Sequence, residues 1–345
     1  MIDLPKTVEF DGRKVIMVDQ RKLPDELTFF ECEDIDCISF AIRKMVVRGA
    51  PAIAATAAFG LALHSMKVDT EDRSVFIKEM MRAADMLRST RPTAYNMFWA
   101  IDRVLRAMDR AGGPSEMRER VVKEAERIAE EDVKVNLSIG ENGRYLVREG
   151  SRVMTICNAG SLATVWLGTA TAPLYLAKKD GVSFEVYVLE TRPVLQGARI
   201  TTFELKRAGI PVKLIVDSAA GYVISEVGVD LIITGADRIL SDGTVFNKIG
   251  TYTLSVLAKE HGVPFYVAAP TSTIDPRSSR HDVRIEMRGA EEVVLMNGRR
   301  VAPEGVEVLN PAFDRTPPGN VTGIITEKGV LTRPFEEGIR RVLEA

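Results

Sequence analysis

The chain has 345 residues, 46% hydrophobic and 27% charged, enough for large buried cores and for two domains. A formal net charge of −2 and a pI near 6.1 exclude a global electrostatic drive toward nucleic acid or membrane surfaces, leaving small anionic ligands for a local basic pocket. Three cysteines, at 32, 37 and 157, cannot all pair within one chain and lack zinc spacing, and the histidines at 64, 261 and 281 are scattered. Thiols in a reducing cytosol and no structural metal are therefore expected.

The N-terminus carries charge early and has no apolar core, unlike a secretory signal. After a short β-like start at residues 7–19, helical apolar spacing runs through 40–47, 53–63, 75–87, 96–108 and 116–147. The Gly-Gly-Pro stretch within 110–115 reads as a loop. Two long uncharged stretches, 49–66 and 153–177, suit closely packed buried helices better than lipid-facing ones, given their Ala, Thr, Asn and Pro content.

Near residue 150 the pattern changes. Short β-rich runs at 152–157, 184–189, 212–216, 229–234 and 264–268, with a further one at 321–326, alternate with helix-length segments. This predicts an α/β fold: a mainly helical N-terminal domain over 1–149, then βαβ units around a parallel sheet over 150–345. Neither a Gly-x-Gly-x-x-Gly nor a Walker lysine loop occurs.

Chemistry in such sheets collects at the carboxyl ends of strands. Cys157 stands there, followed by Asn158, Gly160 and Ser161, and Asp237 closes another buried run. Singly, such a cysteine is ordinarily a small buried hydrophobe and such an aspartate a turn former. Their company raises both, because other strand ends carry Glu190-Thr191-Arg192, Asp217-Ser218 and Thr271-Ser272. Arg48-Gly49-Ala50-Pro51 precedes an Ala-rich helix, with a guanidinium beside backbone N–H groups that can cradle an anion. Arg91, between Thr90 and Pro92, repeats the theme ahead of the next helix. Gln196, Asn247 and Lys248 lie in polar, Gly-broken segments and can hold sugar hydroxyls or phosphate.

Blocks spread over nearly the whole chain carry a resemblance. They are Arg-Gly-Ala-Pro at 48, Arg-Pro-Thr at 91, Cys-Asn-Ala-Gly at 157, Glu-Thr-Arg-Pro-x-x-Gln-Gly-Ala-Arg at 190 and Gly-Ala-Asp-Arg at 235. Asn-Lys-Ile-Gly-Thr-Tyr at 247, Ala-Pro-Thr-Ser-Thr-Ile-Asp at 269, Asn-Pro-Ala-Phe-Asp at 310 and Ile-Ile-Thr-Glu-Lys-Gly at 324 continue the series. In this order they resemble the methylthioribose-1-phosphate isomerase family, which shares its architecture with ribose-1,5-bisphosphate isomerase and with regulatory subunits of the eukaryotic translation initiation-factor exchange complex. The resemblance implies a Rossmann-like C-terminal domain, a homodimer, and conversion of the sugar phosphate 5-methylthioribose 1-phosphate to 5-methylthioribulose 1-phosphate in methionine salvage. The cysteine usage, charge and N-terminus add the expectation of a cytoplasmic protein with no cofactor, metal, nucleic-acid or membrane partner. By motif it carries catalysis to Cys157 and Asp237, and substrate binding to Arg48, Gly49, Ala50, Arg91, Gln196, Asn247 and Lys248. The chain departs from the family at Ile156, where a histidine is common. A regulatory subunit would not require the Cys157 and Asp237 motifs together, and neither His261 nor His281 lies in a partner motif for a cysteine hydrolase.

Overall fold

A computed structural model describes residues 3–92, 94–296 and 298–344. They divide into two compact units: 3–137 with 160–168, and 138–159 with 169–344. The chain thus passes from one unit to the other at three points, where a single division near residue 150 is expected from the sequence.

The N-terminal unit opens with an antiparallel sheet of β1 (Val8–Phe10), β2 (Val15–Val18) and β3 (Phe29–Cys32), in that order. Five helices follow: α1 (Ile35–Arg43), α2 (Ala50–Lys67), α3 (Arg73–Thr90), α4 (Tyr95–Asp109) and α5 (Pro114–Gly143). The first helix starts earlier than its apolar spacing indicates, because the Asp34 side chain accepts from the Cys37 N–H and fixes the start there. Asp72 caps α3 in the same way, accepting from Ser74 and Val75. Thirteen of the eighteen residues of α2 are buried, so this Ala-rich helix is apolar all round and forms the middle of the unit. No helix among the described residues is long and apolar enough to cross a membrane.

Cys32 and Cys37 are joined in a disulfide, their Cα atoms 5.4 Å apart, so the expectation of three thiols is corrected. The end of β3 and the Asp34-capped start of α1 bring them together, a proximity that spacing alone does not reveal. Closing so short a loop is worth about 2 kcal/mol in the chain-entropy picture. Thermal melts with and without dithiothreitol are expected to differ by a few degrees; coincident melts of verified oxidised and reduced protein would refute this.

Residues 160–168 complete this unit and are not part of a long buried helix; they hold only a short 3-10 turn, Ser161–Ala163. Thr7 donates to the Ser161 carbonyl (2.9 Å), Gln20 Nε2 to that of Leu162 (2.7 Å) and Trp166 Nε1 to that of Leu4 (3.1 Å). Val165 is buried in the helical core. Half-buried Asp132 of α5 accepts from the Val165 N–H (2.7 Å), the Trp166 N–H and Asn136 Nδ2 (3.0 Å), yet burial outweighs these bonds and lifts its carboxyl to about 7. A carboxyl raised above its unfolded value contributes stability that is complete below pH 4 and is lost as pH rises through 7. Between pH 6 and 8 the loss is up to about 1.4 kcal/mol, less where water reaches the group. Urea unfolding midpoints are expected to fall over that interval for the parent chain and to stay flatter for Asp132→Asn; parallel pH profiles would refute the assignment.

The C-terminal unit contains β4 (Arg152–Thr155), α6 (Ala172–Lys179), β5 (Glu185–Leu189), α7 (Thr202–Arg207), β6 (Val212–Ile215), α8 (Ala220–Tyr222), β7 (Leu231–Thr234), β8 (Arg238–Leu240) and β9 (Val245–Lys248). Then come α9 (Thr251–Glu260), β10 (Phe265–Ala268), β11 (Ile274–Asp275), α10 (Glu291–Val294), β12 (Leu295–Met296), β13 (Arg299–Arg300), β14 (Phe313–Thr316), β15 (Gly323–Thr326), β16 (Gly329–Thr332) and α11 (Phe335–Glu344). The main sheet has the order β16-β15-β10-β7-β4-β5-β6, parallel throughout except for the antiparallel edge pair β15 and β16. From β4 the chain winds outward through β5 and β6, then returns to β7 on the other side of β4 and winds outward the opposite way through β10 and β15. This is the doubly wound order of a Rossmann-like domain, with its reversal between β4 and β7. A second sheet, β11-β8-β9-β14, is not evident from the sequence pattern.

Candidate active site

The crevice where strand order reverses is the expected ligand site of a doubly wound sheet. Here it lies between β4 and β7, paired in parallel at Val153 with Leu231 and Met154 with Ile232. Cys157 follows β4 and Asp237 follows β7, so the two singled-out residues flank that point. Beyond the strands the two loops stay close, since a Cβ on Gly235 would fall 2.6 Å from that of Ala159.

Cys157 is half-buried and has φ +66°, a left-handed conformation that costs a non-glycine residue about 1–2 kcal/mol. Two threonine hydroxyls hold it there. Its N–H donates to Thr191 Oγ1 (2.8 Å) and its carbonyl accepts from Thr201 Oγ1 (2.7 Å). Thr191 donates in turn to the Leu189 carbonyl (3.0 Å) at the end of β5, and the N–H groups of Thr191 and Arg192 reach the Asp217 carboxylate beyond β6 (2.8 and 2.7 Å). The ends of β4, β5 and β6 are therefore laced together. Glu190 sits beside this lacing, its carboxyl raised by burial and by the Asp217 charge against the pull of Arg192. At the end of β10, Thr271 is tied by its N–H to Glu327 (3.0 Å). Several of the polar strand-end groups thus serve as fasteners.

Asp237 is half-buried and donates its N–H to the Phe246 carbonyl (2.9 Å), which fixes it to β9. On β9, Asn247 and Lys248 are buried. Asn247 Nδ2 donates to Thr251 Oγ1 (3.0 Å), and Lys248 Nζ donates to the Ala312 carbonyl (3.0 Å) while lying 4.3 Å from the Phe313 ring centroid. Opposite Asn247 in register is Asp314. Its carboxylate accepts from the N–H groups of Gly250 (2.7 Å) and Tyr252 (3.0 Å), and burial raises it to about 6 although those bonds and Lys248 oppose the shift. Buried Gln196 precedes the π-helical turn Gly197–Thr201. The turn can follow so closely because Gly197 lacks a Cβ, which would fall 1.8 Å from the Leu189 carbonyl oxygen.

The remaining singled-out residues belong to the N-terminal unit. Arg48 is half-buried, Gly49 is the N-cap of α2 and Ala50 its first residue, with proline in the first turn as expected. The cap has no side-chain hydrogen bond and the first turn no acidic residue. Gly49 has φ +90° and lies against the backbone of Ala163. Arg91 is the C-cap of α3 and not a helix-start residue, a correction to the sequence reading. Ser89 and Thr90 bond back to the carbonyls of Met86 and Leu87 (2.7 and 2.6 Å), while Thr93 lies outside the described residues. Among the described residues no three His, Cys, Asp or Glu side chains are grouped to hold a metal ion.

The sequence reading missed Asp314, Thr201 and Glu204. Asp314 stands in the quoted Asn-Pro-Ala-Phe-Asp block, but its partners lie more than sixty residues away. Glu204 reads as a surface residue of a short polar helix and is fully buried.

The model of the initiation factor 2 subunit family matches residues 46–333. The chain is 48% identical over 337 residues to methylthioribose-1-phosphate isomerase 1 of Pseudothermotoga lettingae, covering 97% of each chain. It is 49% identical to methylthioribose-1-phosphate isomerase of Geobacillus kaustophilus, covering 95% of this chain and 93% of that one. Among solved structures, 5-methylthioribose 1-phosphate isomerase from Pyrococcus horikoshii OT3 superposes with a TM-score of 0.93 at 45% identity, over 99% of this chain and 96% of that one. The structure of a protein named translation initiation factor eIF-2B, subunit delta, from A. fulgidus gives 0.88 at 45% identity, over 99% and 100%. The chain belongs to the initiation factor 2 subunit family and, within it, groups with the methylthioribose-1-phosphate isomerases.

Proposed function

We propose that the chain is an aldose-ketose isomerase that converts 5-methylthioribose 1-phosphate to 5-methylthioribulose 1-phosphate in methionine salvage. The observation that carries this reading is the placement of a thiol and a carboxyl group at the ends of β4 and β7, either side of the strand-order reversal. A phosphate on the anomeric carbon prevents spontaneous opening to an aldehyde, so an acid must protonate the ring oxygen as its bond to C1 breaks. Asp237 is assigned that role. Hydrogen then passes from C2 to C1, with Cys157 assigned to the carbon centre, while the C2 hydroxyl oxygen becomes the ketone and gives up its proton, which replaces the one Asp237 delivered to the ring oxygen. The phosphate stays on C1, and no net electron or proton is exchanged with solvent.

Arg48, Gly49, Ala50 and Arg91 are assigned to the phosphate, and Gln196, Asn247 and Lys248 to the sugar hydroxyls or the phosphate. Acid and thiol supply the required functions, so neither a metal nor an organic cofactor takes part. Turnover is expected to survive exhaustive chelation; loss restored by one divalent ion would refute this. The reading also takes the enzyme to be a cytoplasmic homodimer.

The test is direct. Purified protein is incubated with 5-methylthioribose 1-phosphate and, separately, ribose 1,5-bisphosphate, and the phosphorus and carbon NMR signals of aldose and ketose are followed. Conversion of the first in preference to the second is the expected result. Turnover of neither would favour a role in translation initiation, for which the A. fulgidus protein is named.

A further inference from the structure

We propose that Glu204 is a positioning residue for Cys157, an inference that rests on the catalytic assignment of Cys157 above. Glu204 lies on α7 with no exposed surface, whereas its neighbours Lys206 and Arg207 are more open to solvent. Burying a carboxyl group is costly unless donors meet it. Tyr175 Oη donates to Oε2 (3.0 Å) and Asn158 Nδ2 to Oε1 (3.2 Å). Both groups can donate at those contacts, and the Tyr175 phenol is held well above its ordinary pKa by burial first and by the Glu204 charge second.

The network ends at the candidate thiol residue. Asn158 Nδ2 also donates to Thr201 Oγ1 (3.2 Å), and that hydroxyl spends its own proton on the Cys157 carbonyl (2.7 Å). Because Asn158 supplies Thr201 with a donor, the hydroxyl is left to aim its hydrogen toward Cys157. Glu204 fixes the carboxamide that enforces this choice. Left-handed geometry at a cysteine persists only where its surroundings over-determine it. Here the amide side is fastened by Thr191 and the carbonyl side by Thr201, Asn158 and Glu204. Releasing the carbonyl side lets Cys157 relax toward negative φ and swings its thiol off line, without touching a phosphate contact.

The test compares Glu204→Gln, Thr201→Val and their double variant in the full chain, using turnover of 5-methylthioribose 1-phosphate. The glutamine keeps the size but presents an NH2 group to one of the donors. Expected is a fall in kcat of about 10- to 100-fold with KM within about threefold, as for a reacting group displaced by an ångström or less. The double variant should fall little further than the worse single one, because both act through one chain of bonds. Folded Glu204→Gln with kcat within twofold of the parent, a loss appearing in KM alone, or fully multiplicative effects would each overturn the proposal. Should Glu204→Gln fail to fold, Tyr175→Phe, which removes one of the donors that hold the Glu204 carboxyl, takes its place and decides by the same split of kcat against KM. Cys157→Ser serves as the reference: if it retains turnover, the catalytic assignment fails, whereas an inactive Cys157→Ser beside an unimpaired Glu204→Gln refutes only the positioning role.

Discussion

With substrate saturating, Cys157→Ser and Asp237→Asn are each expected to lower kcat by about 10²- to 10⁴-fold, the usual loss when a positioned acid or base is removed. Neither change should unfold the protein. Both side chains are half-buried and both replacements nearly isosteric, and the N–H and carbonyl of Cys157 and the N–H of Asp237 are held by backbone hydrogen bonds that neither replacement removes. Those bonds survive in the variants, so thermal melts should stay within a few degrees of the parent. Steady-state kinetics checked against the melts separates chemistry from folding; near-parental kcat in either variant would remove that residue from the mechanism.

Gly49→Ala is expected to destabilise the protein by about 2–5 kcal/mol, more than any phosphate-contact role would suggest. Two costs add. A φ of +90° disfavours any residue with a Cβ, and the added methyl would fall 2.2 Å from the Ala163 carbonyl oxygen, a backbone atom that cannot swing aside. Denaturant unfolding measures the loss, and a change below about 0.5 kcal/mol would mean that Ala163 does not pack there. Arg48→Ala, one residue earlier, has no such steric cost. The pair therefore distinguishes a glycine needed for chain packing from an arginine needed for charge.

Helices and parallel strands were legible because apolar spacing records burial against near neighbours. The runs expected at 53–63, 75–87 and 96–108 lie inside α2, α3 and α4, and the β-rich runs contain β4, β5, β6, β7, β10 and β15. Doubly wound topology then put Cys157 and Asp237 at strand ends. What escaped was set by partners distant in sequence. The β8, β9 and β14 sheet unites residues some seventy apart, so the buried state of Asn247 and Lys248 had no local signature. Glu204 escaped because a glutamate four positions after a buried Ile200 still reads as solvent-facing until Asn158 and Tyr175 are brought to it. The stretch after Cys157 has the composition of a buried helix, but its hydrogen bonds go to Thr7, Gln20 and Asp132.

That last segment governs how the gene can be dissected. A stop codon after residue 150 would yield an N-terminal fragment without residues 160–168, missing Val165 from its interior and leaving the Asp132 carboxyl without its two backbone donors. The complementary fragment would lack 138–150, including Asn142, whose side chain donates to the Thr326 carbonyl (2.9 Å). Neither product would own all the residues of its own interior. A self-sufficient N-terminal piece would have to carry the nine residues 160–168 grafted through a new linker, and the donor half would need that gap bridged between Ala159 and Thr169.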